Sequence, residues 1–173
     1  PKTGGTSLVA ILKEFSIRPN IFLRSIGYFF DDRGYKLPEF TYNIFGYPYH
    51  VRAEQMIRLL DRNIFDNYFK FAFVRNPYDL TVSEYFYIKK IKTHQHHKAV
   101  NQIKSFDDFV IWKKTHYARP QTNWIIDKKD EVLVDYIGKF EQYEKDANYI
   151  LSKLGVNKTV PHLNITKKKH YLE

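Results

Sequence analysis

Tyr68-Phe69-Lys70-Phe71-Ala72-Phe73-Val74-Arg75-Asn76-Pro77-Tyr78-Asp79-Leu80-Thr81-Val82-Ser83-Glu84-Tyr85 is the stretch from which the fold can be read. Its first part, Tyr68 to Arg75, is aromatic, β-branched and nearly continuous in apolar character. That pattern suits a strand covered on both faces of a sheet. Asn76-Pro77 breaks it, because proline brings no N–H to a sheet ladder and its fixed φ suits the first position of a helix. The spacing then predicts a helix from Pro77 through Ile91. Arg75 ends the strand, where α/β sheets present groups to ligands. Ser83 follows about two helical turns into the helix. An arginine and a hydroxyl so placed can clamp one phosphate between charge and hydrogen bond.

A second turn of this kind opens the chain. Pro1-Lys2-Thr3-Gly4-Gly5-Thr6-Ser7 leads into Leu8-Val9-Ala10-Ile11-Leu12-Lys13, the first turns of an apolar helix expected over residues 6–15 and ended before Arg18-Pro19. Gly4 and Gly5 let the backbone fold tightly and approach a ligand closely. Thr3, Thr6 and Ser7 offer hydroxyl donors, and Lys2 brings a point charge. The helix behind them adds unsatisfied N–H groups and a positive dipole end, so the segment reads as an anion cradle. It is not a Walker A loop, whose lysine follows the second glycine; here Lys2 precedes both.

Working outward, Ala53, Met56, Ile57 and Leu60 recur at helical spacing and predict a helix over residues 52–60. Ser105-Phe106-Asp107-Asp108 is a capped start for a helix through Trp112. Val132 to Ile137 reads as a second strand. Glu141 to Leu154 reads as a helix with Tyr143, Ala147, Ile150, Leu151 and Leu154 on one face, closed by Gly155 at the position after the cap. Residues 20–49 carry aromatics, Gly and Pro without a period, and are expected to form short strands and loops. Strands alternating with helices give an α/β class: a mainly parallel sheet flanked by helices. We expect one domain over residues 1–173, with the strand that would deliver the first loop lying upstream of Pro1.

Composition narrows the partners. Hydrophobic residues make up 43% and aromatics 17%, which argues against a disordered chain. No apolar run approaches the roughly 18 residues of a membrane span. The absence of cysteine excludes disulfides and thiolate–metal sites and fits a reducing, cytoplasmic setting. A net charge of +9 calls for an anionic partner, and nucleic acid, an anionic polysaccharide or a nucleotide would each qualify.

The two turns decide among them. P-K-T-G-G-T-S resembles the 5′-phosphosulfate loop of sulfotransferases that use 3′-phosphoadenosine 5′-phosphosulfate (PAPS), closest in form to the carbohydrate (heparan/chondroitin-type) enzymes. Val74-Arg75-Asn76-Pro77-Tyr78-Asp79 with Val82-Ser83-Glu84-Tyr85 resembles their 3′-phosphate element, with Leu80 where arginine is usual. Gly138-Lys139-Phe140-Glu141 looks like the family's G-R-F-E segment with lysine for arginine, and Pro161-His162-Leu163-Asn164 is similar to its P-H-L-N loop. The likeness covers most of the chain and is weakest at residues 16–45 and 88–115.

The resemblance implies a P-loop-nucleotide-kinase-like sulfotransferase fold, with PAPS as co-substrate and no metal. It gives Lys2 the bridging oxygen that leaves with the nucleotide, and gives Thr3, Gly4, Gly5, Thr6 and Ser7 the 5′-phosphate. Arg75 and Ser83 take the 3′-phosphate. A sugar hydroxyl needs a general base with a pKa in histidine's range. His50, in a His-x-x-Ala-Glu-x-Met entry to a helix, is the expected base and His116 the runner-up. Arg119, Gln121 and Thr122 would contact donor or acceptor. The acceptor would be a glycan or another hydroxyl compound. His94, His96 and His97, flanked by Lys89, Lys90 and Lys92, read as a polar loop over the acceptor groove; with no thiolate and no near carboxylate in sequence, a metal site is disfavoured. Two alternatives are a basic nucleic-acid-binding protein and a P-loop-type small-molecule kinase. The first does not account for both turns in this order, and the second lacks a Walker A lysine and a clear Mg²⁺-holding Asp.

Overall fold

The chain alternates between turns dictated by Gly, Asn and Pro and short apolar segments that must bury one face. The computed structural model describes residues 3–12, 14, 51–60, 62–116 and 120–160. These form two compact units. One contains residues 3–12, 73–116 and 138–160; the other contains 14, 51–60, 62–72 and 120–137.

Helix α1 (Gly5–Leu12) starts one residue before the expected point and buries Ser7, Leu8 and Ile11. Helix α2 (Ala53–Leu59) lies within the predicted span, and its entry is tied by the Arg52 N–H donating to Gln55 Oε1 at 3.0 Å. A short helix, α3 (Arg62–Asn67), was not expected. It is held by surface pairs one turn apart: Arg62 to Asp66 at 2.8 Å, and the Asn67 amide to the Asn63 carbonyl at 2.9 Å.

Strand β1 (Phe71–Val74) is shorter than the predicted 68–75. Tyr68 is drawn into the end of α3 by a bond from its N–H to the Ile64 carbonyl. The Lys70 ammonium turns back to the carbonyls of Phe65 and Tyr68. Helix α4 (Pro77–Lys90) follows as predicted, with Pro77 at its first position. A turn then gives helix α5 (His97–Asn101), again not expected. Helix α6 (Phe106–His116) begins where Ser105 caps it, the Asp108 N–H reaching Ser105 Oγ at 3.1 Å, and runs four residues past Trp112.

After a 3₁₀ turn at Gln121–Trp124, the predicted strand Val132–Ile137 is displaced. Strand β2 is Tyr136–Lys139. Val132 enters only an isolated antiparallel bridge with Ile126. The cause is a tight turn in which Asp127 Oδ1 accepts from the N–H groups of Lys129 and Glu131 while Asp130 sits at φ +63°. Gly138 belongs in β2 because the Phe73 ring lies 2.7 Å from where a Cβ would stand. A 3₁₀ turn, Phe140–Gln142, leads into helix α7 (Tyr143–Lys153).

Strands β1 and β2 pair with each other. The Lys70 carbonyl accepts from the N–H groups of Asp135 and Tyr136, and Phe73 lies beside Gly138. Both contacts advance together along the two segments, so the strands run parallel. The architecture is thus mixed α/β, with a small parallel sheet and helices among the described residues.

In the first unit Tyr85, Ile88, Val100 and Phe109 form a buried cluster, with Ile103 and Trp112 packed against it. Each such side chain contributes roughly 1.5–3 kcal/mol of burial. Helix α7 buries Ala147, Ile150 and Leu151. It ends in a Schellman motif: Gly155, at φ +68°, donates to Ser152, and Val156 donates to Leu151. Gly155 stands where it was expected. No helix among the described residues is long and apolar enough to cross a membrane.

Candidate functional site

Gly4 turns the chain into α1 with φ +83°, a conformation that favours glycine. Space demands it too: a Cβ there would lie 2.2 Å from Tyr143 Cε2. Its carbonyl accepts from the Ser7 N–H at 3.1 Å and from the Tyr143 hydroxyl at 2.7 Å. Gly5 is the opposite case, since a Cβ there meets no protein atom within 4 Å. Gly5 and Thr6 are exposed and Thr3 is half-buried, so these three line the outside of the turn. As the first two residues of α1, Gly5 and Thr6 have amides with no intrahelical acceptor, at the positive end of the helix dipole. Ser7 faces inward. It is buried beside the Tyr143 phenol.

Tyr143 holds this turn from beneath. Its ring lies 5.0 Å from that of Phe73 and 5.8 Å from that of Phe140. Burial pushes its pKa above the ordinary tyrosine value, although the Ser7 hydroxyl and the Leu8 N–H pull the other way. The phenol therefore stays protonated at neutral pH and can donate to Gly4. Reading residues 141–154 as a helix placed Tyr143 among core residues and gave it no part in the loop, because the contact joins positions 139 residues apart.

The second turn is built locally. Arg75 leaves β1 and Asn76 caps α4, its side-chain oxygen accepting from the N–H groups of Tyr78 (2.9 Å) and Asp79 (3.4 Å). The Asn76 N–H donates to Glu141 Oε1 at 2.7 Å. The Arg75 guanidinium lies over the Phe140 ring, 4.4 Å from its centre. Ser83 is half-buried one turn beyond Asp79 on α4. Its neighbour Glu84 is buried and faces Lys113 at 2.6 Å, and Lys113 also donates to Thr81 Oγ1. The two turns lie in the same compact unit, together with Phe140, Glu141 and Tyr143, which contact them.

Among the other predicted site residues, Lys2, His50 and Arg119 lie outside the described residues, as does Pro161-His162-Leu163-Asn164. His116 ends α6, exposed, with its ring stacked on Trp112 at 5.3 Å and Nδ1 3.0 Å from the Trp112 carbonyl. Gln121 and Thr122 sit on the 3₁₀ turn of the second unit, half-buried and exposed respectively.

The three clustered histidines make hydrogen bonds of their own. His97 Nδ1 lies 2.8 Å from the Ile88 carbonyl in the last turn of α4, and His94 Nδ1 accepts from the His96 N–H at 3.1 Å. Burial and then the neighbouring His96 hold His94 below the usual imidazole value; Glu84 opposes them and His97 adds to them. Among the described residues no group of His, Cys, Asp and Glu is arranged to hold a metal ion.

A turn rich in glycine and hydroxyls opens a helix, and an arginine follows later at a strand end; both are features that suit anionic ligands. The sequence comparison agrees in class. Residues 1–172 match the profile of the sulfotransferase family. The chain belongs to that family. It is also similar to an uncharacterized protein of Archaeoglobus fulgidus, with 30% identity over 95 residues, covering 55% of this chain and 74% of the relative. No solved structure matches it significantly.

Proposed function

We propose that this protein transfers a sulfuryl group from PAPS to a hydroxyl, with a carbohydrate as the acceptor, on a P-loop-like single domain spanning residues 1–173. The observation that carries the reading is the contrast within the first turn. Gly4 is required by the protein's own packing, whereas the Cβ position of Gly5 opens outward beside the first amides of α1. A glycine that the protein's packing does not require, at a helix N-terminus, suits close approach of a phosphate. These residues therefore fit the 5′ end of the donor.

When bound, PAPS supplies an activated sulfuryl group. The chain's own residues do the rest. Thr3, Gly4, Gly5, Thr6 and Ser7 form and back the 5′ cradle, and Arg75 with Ser83 holds the 3′-phosphate. Lys2 neutralises the negative charge that grows on the leaving oxygen, the term that dominates transfers of this kind. His50 takes the proton of the acceptor hydroxyl, with His116 as the second candidate for that role. Arg119, Gln121 and Thr122 are assigned to donor or acceptor contacts.

Titration with 3′,5′-adenosine bisphosphate in magnesium-free buffer tests the donor. Binding on the order of micromolar is expected, in the usual range of substrate affinities. No nucleotide binding, together with tight salt-dependent binding of DNA, would sink the proposal. Labelled PAPS offered with a panel of glycans then tests turnover: Lys2→Ala and His50→Ala should each lose about a hundredfold or more, the scale of one charge-stabilising or acid–base group.

A further inference from the structure

The turn that ends β2 touches both phosphate-type turns at once. Tyr143 donates to the Gly4 carbonyl at 2.7 Å and its ring rests on that of Phe140. Phe140 in turn lies under the Arg75 guanidinium, 4.4 Å away. Beside it, Glu141 accepts the N–H of Asn76 at 2.7 Å. An unbroken line of contacts thus runs from Gly4 through two aromatic rings to Arg75, entirely within one compact unit. Rings make good spacers here. They have few rotatable bonds, and their packing fixes distance at little entropic cost.

We propose that Phe140 and Tyr143 are positioning residues that set the spacing between the two donor-holding elements, Tyr143 serving the Gly4–Ser7 turn and Phe140 serving Arg75. This rests on the donor reading above. An arginine that must meet one particular phosphate needs its planar fork held in orientation, and stacking on a ring does that without occupying its N–H donors. The two residues therefore affect different parts of the ligand. Loss of the Tyr143 hydroxyl loosens the cradle at the 5′ end, which any adenosine 5′-phosphate uses. Loss of the Phe140 ring loosens chiefly the group that recognises the 3′-phosphate, because Tyr143 keeps its contact with Phe73 and its bond to Gly4.

Affinities for 3′,5′-adenosine bisphosphate and for adenosine 5′-monophosphate separate these effects in the full chain. Tyr143→Phe, which keeps the ring, should weaken both nucleotides by a similar factor of about five, the scale of one hydrogen bond. Phe140→Leu should weaken the bisphosphate about fivefold and leave the monophosphate within about twofold, as expected for a partly buried cation–ring contact. Phe140→Tyr, which keeps a ring under the guanidinium, should restore the preference. Tyr149→Phe, an exposed phenol on α7, is the control and should bind as wild type.

Wild-type affinities in both Phe140→Leu and Tyr143→Phe overturn this inference and leave the donor reading standing. So does a Phe140→Leu variant that loses both nucleotides equally, since that pattern marks a merely structural role. A wild-type protein that binds neither nucleotide overturns the donor reading and this inference with it.

Discussion

The turn at Thr3–Gly4 and the turn at Arg75–Pro77 both deliver the chain into the N-terminus of a helix, but they are held by different means. The second is largely local: Asn76 caps α4 with its own side chain and Pro77 presets the first helical φ. The first is held from afar, its Gly4 carbonyl bonded by Tyr143 and its φ of +83° compatible with little but glycine. A locally determined turn can form early and tolerates changes elsewhere. A turn held by a distant side chain takes its shape only when α7 is docked, so its geometry is sensitive to the packing around β2.

The largest effect should come from Gly4→Ala. The substitution meets both the unfavourable φ and a Tyr143 atom 2.2 Å from the new Cβ. The ring is wedged against Phe73 and Phe140 and cannot easily swing away. A loss of about 3 kcal/mol or more is expected from strain and overpacking combined, measured as a fall in denaturation midpoint. Gly5→Ala should leave that midpoint within about 0.5 kcal/mol of wild type, the usual range for an exposed change, since its Cβ meets no protein atom. It should nevertheless weaken 3′,5′-adenosine bisphosphate about tenfold, or 1.4 kcal/mol. Equal stability losses in the two variants would erase the distinction between an inner and an outer glycine.

The same contrast explains what could be read from sequence. Gly4-Gly5, Asn76-Pro77 and Gly155 announce their turns because each acts through its own backbone preference, and each stands where expected. Helix α3 was hidden because its six residues bury only Phe65 and it is stabilised by surface pairs rather than an apolar stripe. The second strand was displaced for a related reason. Val132-Leu133-Val134 has strand composition, but the Asp127–Glu131 turn commits Val132 to an isolated bridge, and the true strand includes a glycine that only the Phe73 ring explains. Tyr143 escaped notice because a tyrosine on a helix's apolar face reads as core. It is core, and its hydroxyl also bonds the Gly4 carbonyl.

Asn76→Ala tests the locally built turn. It removes the acceptor for two N–H groups at the start of α4 and should cost about 1 kcal/mol. Because α4 carries Tyr85 and Ile88 into the buried cluster, the loss should appear in global unfolding rather than as fraying alone. If nucleotide affinity falls while stability holds, the cap matters mainly for aiming Arg75. If stability falls by far more than a cap is worth, the Glu141 contact has been broken with it.

The smallest effect concerns pH and involves His94, in the turn between α4 and α5. Its folded pKa is held below the ordinary value of 6.5, chiefly by burial and then by His96, with His97 adding to the shift and Glu84 opposing it. A group whose folded pKa is depressed binds its proton more readily when unfolded. For this half-buried base the contribution is therefore complete above about pH 6.5 and is lost as pH falls from there toward the folded pKa. Asp135 is also depressed, first by the Lys70 N–H, but its contribution is lost only below about pH 3.8, so the two windows are separate. Unfolding midpoints of wild type and His94→Gln, taken in steps between pH 7.5 and 5, should converge as the pH falls, because the variant lacks the proton that the unfolded wild type takes up. Parallel curves across that range would show that His94 titrates alike in both states.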